Sequence, residues 1–382
     1  MPIGHTCGNY RRASSGRGSR HDEGGEAGRT DAKLLGEPLD ARIATDRRPG
    51  LPGRADAASP WWPGPLVRWV RQSAEVGMRK FFTRTILLWI LVLIAPSPRT
   101  SLADDAWQLT FDPDPDEFPA WAPDGSRIAF NSLRANNWDI WTIPASGGEA
   151  SQVTLETGED VWPSWSPDGS QIAYASDRGG GWDVWVISSA GGAPVQVTTD
   201  PAWDGYPCWS PDGSRIAFQS WRGSDMDIWI IPVASGAATR ITTNPAHDGW
   251  PCWSPDGSQI AFTSDRSGGW DIWVIPATGG EAVQVTTDPA DDGMPSWSPD
   301  GSQIAFSSER SGNADIWTIL ASGGSATQVT TDPAFDAFPT WSPDGTRIAF
   351  TSERSGRDIW VIELHAVAVE PTTWGAIKTG YR

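Results

Sequence analysis

Six aspartates recur along the chain at one spacing: Asp116, Asp160, Asp204, Asp248, Asp292 and Asp336. Two residues after each comes a large side chain: Phe118, Trp162, Tyr206, Trp250, Met294 and Phe338. Carboxylates and aromatic rings brought together suit three kinds of chemistry. Paired carboxylates do acid–base work, as in glycoside cleavage, where rings also stack on sugars. Clustered carboxylates hold a hard cation such as Ca2+. Rigid rings with acidic neighbours make an adhesive surface for a protein segment. Sixfold uniformity argues against catalysis, because acid and base need distinct environments. The chain has only 4 His and no G-x-S-x-G nucleophile motif.

Two further polar sets recur and have plain structural readings. Asp124, Asp168, Asp212, Asp256, Asp300 and Asp344 each sit in a Pro-Asp-Gly turn. There Pro presets φ, Asp bonds back to the backbone and Gly takes positive φ. Arg134, Arg178, Arg222, Arg266, Arg310 and Arg354 precede Asp139, Asp183, Asp227, Asp271, Asp315 and Asp358 by four or five residues. That spacing predicts an Arg–Asp pair pinning each loop.

These residues must be positioned by a repeat. The Trp of W-[SA]-P-D-G falls at Trp121, Trp165, Trp209, Trp253, Trp297 and Trp341, a period of 44 residues. A fixed period of about 40–45 signals a repeat architecture. Each copy reads as four strands: an apolar run ending in Trp, then [QR]IA[FY], then D-[IV]-W, then a short Gln/Arg-containing segment. Four strands of about 6 residues leave room only for tight connections, so each copy is a meander. In the fifth copy Ile304 and Phe306 face one way and Ala305 the other, while Ile316 and Trp317 take opposite faces. Both faces of each sheet are apolar, so every sheet needs two neighbours. The predicted fold is all-β: a six-bladed β-propeller of four-stranded antiparallel blades. A fourth-strand segment at Trp107–Phe111 precedes the first complete copy, and the last copy, ending at Asp358–Ile362, has none of its own. The N-terminal strand is therefore expected to close the ring, with His365–Val369 as its rival.

Connections in a meander alternate between the two ends of a blade. The Pro-Asp-Gly and Gly-Gly turns then share one end. The Asp/aromatic loops and the S-x-R-x-G loops share the other. With the Trp strand innermost, the Asp set is expected to ring the mouth of the channel. Strand alternation would point the large residues the same way, about 7 Å deeper. The alternative is that each Asp bonds its own loop or the repeat Arg at the same end, and that the large residues pack between blades. Trp138, Trp182, Trp203, Trp270, His247 and Phe335 differ from copy to copy at that end. Irregularity in a regular ring is where a site is built.

The remainder of the 382 residues divides as follows. Residues 1–77 are rich in Arg, Gly, Pro and Ser, with little to bury, and read as a disordered or mis-assigned upstream extension. At residues 78–103 a basic start (Arg79, Lys80, Arg84), an apolar core at Ile86–Ala95 and Ser101-Leu102-Ala103 read as a secretory signal peptide. The apolar run is too short to span a bilayer, so no membrane span is expected after cleavage. The propeller is assigned to residues 104–364 and a tail to 365–382. Residues 104–382 carry 13 basic against 38 acidic residues, a formal charge of −25. Nucleic acid is thereby excluded as a partner, and basic protein surfaces or cations are favoured. Cys208 and Cys252 occupy one small slot of adjacent copies, where Ala120, Ser164, Ser296 and Thr340 also sit. They read as slot fillers, with a disulfide as the alternative in an exported protein.

The phrase W-S-P-D-G-x-x-I-A-F-x-S-x-R-x-G-x-x-D-I-W resembles the WD40-like repeat of TolB-type propellers. The resemblance covers all six copies. It implies a six-bladed propeller, export across the inner membrane and protein partners, as in the Tol–Pal envelope system. It also implies an α/β domain ahead of the propeller. This sequence departs there, because three residues separate Ala103 from the first strand. The same repeat resembles propellers that gate serine peptidases. The expected protein is a periplasmic or secreted monomer that binds a protein or peptide partner at the channel mouth, not an enzyme. No cofactor is expected, with Ca2+ at the Asp ring as the alternative. The functional alternatives are a carbohydrate- or peptide-acting enzyme and a regulatory propeller subunit of a hydrolase.

Overall fold

The computed structural model describes residues 105–364. The expected extension at 1–77, the signal peptide at 78–103, the tail at 365–382 and the rival strand His365–Val369 lie outside the described residues.

Six four-stranded antiparallel sheets follow one another. In blade 1 the strands are Asp116–Trp121, Arg127–Ser132, Asp139–Pro144 and Ser151–Gln152. The other blades repeat these lengths. The fourth strand is two residues long, where about six were expected. It stops because the chain folds over the blade edge: the Thr154 hydroxyl accepts from the Ile140 amide at 2.9 Å and donates to Asp139 at 3.1 Å. A short outer strand also leaves little open edge for another chain to pair with.

Each seam between blades holds one apolar cluster. Ile260 and Phe262 of blade 4, for example, pack on Ala217, Ile228 and Ile230 of blade 3. Both faces of each sheet are consumed this way, so the sheets stack in a circle. The seam of blades 6 and 1 has the same content: Ala349, Ile359 and Val361 against Ile128 and Phe130. The N-terminal strand makes this closure. Trp107 and Gln108 pair with Val361 and Trp360, giving blade 6 its fourth strand. Thr110 then accepts from the Ile359 amide at 3.0 Å, as Thr154 does in blade 1.

The Pro-Asp-Gly end is uniform. Every turn glycine has φ near +71°, a conformation favouring Gly. A Cβ at Gly169 would sit 3.4 Å from Pro123, and one at Gly345 3.2 Å from Pro299. Each turn thus leans on the proline of the preceding blade, and Gly125 on Pro343 completes the circle.

Candidate functional site

The innermost strand of each blade is not regular. In blade 1, Glu117 pairs with Asn131 and Ala120 with Ala129, so Phe118 and Pro119 together oppose one residue. The same bulge recurs in all six blades. Its proline has no N–H to leave unpaired. Its first residue takes the left-handed conformation: φ is 56° at Phe118, 59° at Trp162, 51° at Tyr206, 52° at Trp250, 61° at Met294 and 59° at Phe338. Bulges re-aim side chains, and this one separates the two sets of residues expected to point together. The preceding blade fixes it. The Trp250 amide donates to Gln219 at 2.8 Å, Met294 to Thr263 at 3.0 Å and Phe118 to Thr351 at 3.1 Å.

The five aromatic members of this set therefore meet one another. Trp162 stacks on Tyr206 with centroids 3.9 Å apart and planes at 20°. Phe118 touches Phe338 at 4.0 Å and reaches Tyr206, two blades away, at 6.1 Å. Tyr206 meets Trp250 at 5.5 Å. These rings plug the channel; they do not line an open funnel.

The aspartates go elsewhere. All six are fully buried, and each meets an arginine of its own blade: Asp116–Arg134, Asp160–Arg178 and Asp336–Arg354 at 2.6 Å, the other three pairs at 2.7 Å. Each guanidinium is clamped between two rings, as Arg178 is between Tyr174 at 5.5 Å and Trp185 at 5.0 Å. This corrects two expectations. The arginines do not pair with Asp139 and its equivalents, and the acidic ring is not open at the mouth. The cause is the hairpin: Asp116 lies opposite Ser132, which brings Arg134 over it. Asp139 instead takes Gln152 and Thr154, tying the third strand to the fourth. Burial pushes the carboxyls of the Asp116 set up, more than their Ser and Arg contacts pull them down, and Asp336 reaches about 6. Burial likewise lifts Asp139 to about 6. Each of these carboxylates is turned into its own blade. No group of three His, Cys, Asp or Glu arranged for a metal occurs among the described residues.

Above the plug the rim differs around the circle. Position 203 is Trp where other blades have Pro115, Glu159, His247, Asp291 and Phe335. Trp182 and Trp203 lean on Trp162 at 5.5 and 5.7 Å, and Trp270 meets Trp250 at 6.1 Å. Gly205 makes room for them, since a Cβ there would fall 2.6 Å from Trp203 and 2.9 Å from Trp162. Across the seam of blades 2 to 4 the rim is thus aromatic. His247, whose ring lies 5.1 Å from Trp221, accepts from the Met226 amide at 3.3 Å. On the opposite side Glu117 takes Arg357 at 2.7 Å, and Arg357 also holds Glu353 at 2.8 Å. Sequence reasoning passed over Glu117 and Arg357. Both depart from their columns, where blades 2 to 6 have Val161, Gly205, Gly249, Gly293 and Ala337, and blades 1 to 5 have Trp138, Trp182, Met226, Trp270 and Ala314. That departure was the available signal.

Fold and site together define a six-bladed β-propeller whose channel is closed at one end by an aromatic plug. Its repeats are of the TolB type: the TolB beta propeller domain matches residues 115–206 and 288–380, and the Tricorn protease N-terminal beta propeller domain matches residues 223–314. No curated protein matches the chain in sequence. Among solved structures, a putative TolB from Agrobacterium tumefaciens is similar at 23% identity and a TM-score of 0.55, over 68% of this chain and 97% of that one. TolB from Acinetobacter baumannii is similar at 23% identity and 0.55, over 60% of this chain and 57% of that one. A gluconolactonase from Xanthomonas campestris is similar at 13% identity and 0.55, over 68% and 89%. At such identities the likeness carries the fold and not the activity.

Proposed function

We propose that this protein is an exported, non-catalytic binding propeller, periplasmic or secreted, that docks a basic protein or peptide segment on the aromatic side of its rim. The observation that carries this reading is the contact series Trp182–Trp162–Tyr206 with Trp203 packed beside it. Trp182 and Trp203 are half-buried over the buried Trp162 and Tyr206, and rigid rings supply contact area at little entropic cost. The surroundings favour a cationic partner: residues 105–364 contain no Lys, and acidic residues far outnumber Arg. Cations also bind well over tryptophan faces. Support for a non-catalytic role is that the repeated carboxylates are committed to Arg pairs and turn bonds. The match to the Tricorn protease propeller favours a second reading, a propeller serving a peptidase.

The test is peptide selection against the purified protein, followed by titration of the selected peptides into a Trp182→Ala/Trp203→Ala variant. Basic peptides are expected, with binding weakened about 30-fold, as for loss of roughly 2 kcal/mol at an interface centre. Selection with no basic preference, or equal affinity for the variant, overturns the proposal.

A further inference from the structure

Below the plug, one residue before each blade Trp, lies a column of small side chains: Ala120, Ser164, Cys208, Cys252, Ser296 and Thr340. All six are half-buried. Their geometry is directional. Ser164 accepts from the Trp209 amide at 3.3 Å and Ser296 from the Trp341 amide at 3.4 Å, so each reaches across a seam to the next inner strand. Cys208 does the same, with its Sγ 3.5 Å from the Trp253 amide nitrogen. That nitrogen belongs to the peptide leaving Cys252, about 2.4 Å from its Cα by standard backbone dimensions. The sulfur of Cys208 thus stands over the backbone of Cys252, and both cysteines are free. The neighbouring Cys252 thiol and burial push the Cys208 thiol up, while Cys208 and the Trp297 amide hold the Cys252 thiol below its ordinary range. At the Pro-Asp-Gly end of the same seam lies a cavity of about 460 Å³ lined by Ser210, Pro211, Asp212, Arg215, Asp256 and Gly257.

We propose that Cys208 and Cys252 are a thiol-redox site in the channel that closes to a cross-blade disulfide by exchange with a small-molecule disulfide. Cys252 is the attacking sulfur, because the thiolate is the nucleophile in such exchange. With glutathione disulfide, the Cys252 thiolate breaks the S–S bond, forms a mixed disulfide and releases one glutathione thiolate. Cys208 then gives up its proton to solvent and attacks the Cys252 sulfur, expelling the second glutathione. Two protein thiols are oxidised by two electrons, and one disulfide is reduced to two glutathione thiols. The product staples blade 3 to blade 4 and closes a loop of one repeat, which constrains the unfolded chain.

The experiment incubates the reduced, full-length protein with glutathione disulfide and maps its peptides without reduction. The expected result is a linked Cys208–Cys252 peptide pair and a thermal midpoint raised on the order of 5 °C. Cys208→Ser should fold, since Ser164 and Ser296 already fill that slot, and should stop at the glutathione adduct of Cys252 with no such rise. Recovery of Cys208 and Cys252 as free thiols, or of a stable glutathione adduct at either of them in the unaltered protein, overturns the proposal; Cys7, the third cysteine of the chain, is read separately in the peptide map.

Discussion

Asp160 and Asp168 belong to one hairpin yet live in opposite electrostatic settings. Asp168 is exposed in its turn, accepts from the Ser170 amide at 3.0 Å and from the Ser166 hydroxyl at 2.7 Å, and is held down at about 2 by those bonds. Asp160 is fully buried against Arg178, and burial pushes it up. The pattern holds around the ring. Asp212, Asp256, Asp300 and Asp344 lie at about 2, while Asp204, Asp248, Asp292 and Asp336 are all raised. One end of the wheel closes with solvated turns and proline–glycine contacts. The other closes with desolvated ion pairs under a layer of rings. The second end varies in its large side chains from blade to blade, and there the proposed docking surface lies.

The sharpest way to break this contrast is to delete one carboxylate from each end. Asp160→Ala leaves the Arg178 charge buried without its partner and is expected to destabilise by about 3–5 kcal/mol in urea unfolding. Asp168→Ala removes a solvated turn bond and is expected to cost several-fold less. Equal losses would show that the two ends are energetically alike.

The pH profile sharpens the contrast without deleting a residue. Asp336 has a folded value of about 6, above the usual unfolded value of about 4. As pH falls through 6 the folded state takes up a proton before the unfolded state does, so stability rises. The turn aspartates run the other way: their contribution is present above pH 4 and is lost as pH falls towards 2. Thermal midpoints measured from pH 7 to pH 5 should therefore rise for the unaltered protein relative to Asp336→Asn, which cannot titrate there. A difference constant across that window would contradict the assignment.

The smallest expected effect tests the clamp around the arginines. Tyr174 stands where the other blades have Phe130, Phe218, Phe262, Phe306 and Phe350, and its buried hydroxyl has no hydrogen-bond partner among the described residues. Tyr174→Phe should stabilise by about 1 kcal/mol, because it removes an unsatisfied buried group while keeping the ring. Differential scanning calorimetry reads this as a midpoint raised by a few degrees.

Much of the fold was legible because the signals are local and repeated. Trp121 to Trp341 fix the blade count, the alternation at Ile304, Ala305 and Phe306 fixes two buried faces, and Trp107–Phe111 announces the closing strand. The site was less legible because it depends on register. The shared end of the blade allowed Arg134 to meet either Asp139 or Asp116, and only the pairing of Asp116 with Ser132 decides for Asp116. Alternation put Asp116 and Phe118 on the same side, and one extra residue at the bulge separated them. The proline after Phe118, repeated at Pro163, Pro207, Pro251, Pro295 and Pro339, was the trace of that bulge.

The closing strand has a consequence for synthesis. Thr110 and Asp358, which touch across the last blade, lie 248 residues apart. Joining them carries a loop-closure entropy that no earlier contact along the chain repays. During translation Trp107–Gln108 must therefore wait for its partner strand Asp358–Glu363, which is made last. Only a chain that carries both Trp107–Gln108 and Asp358–Glu363 can complete the sixth sheet.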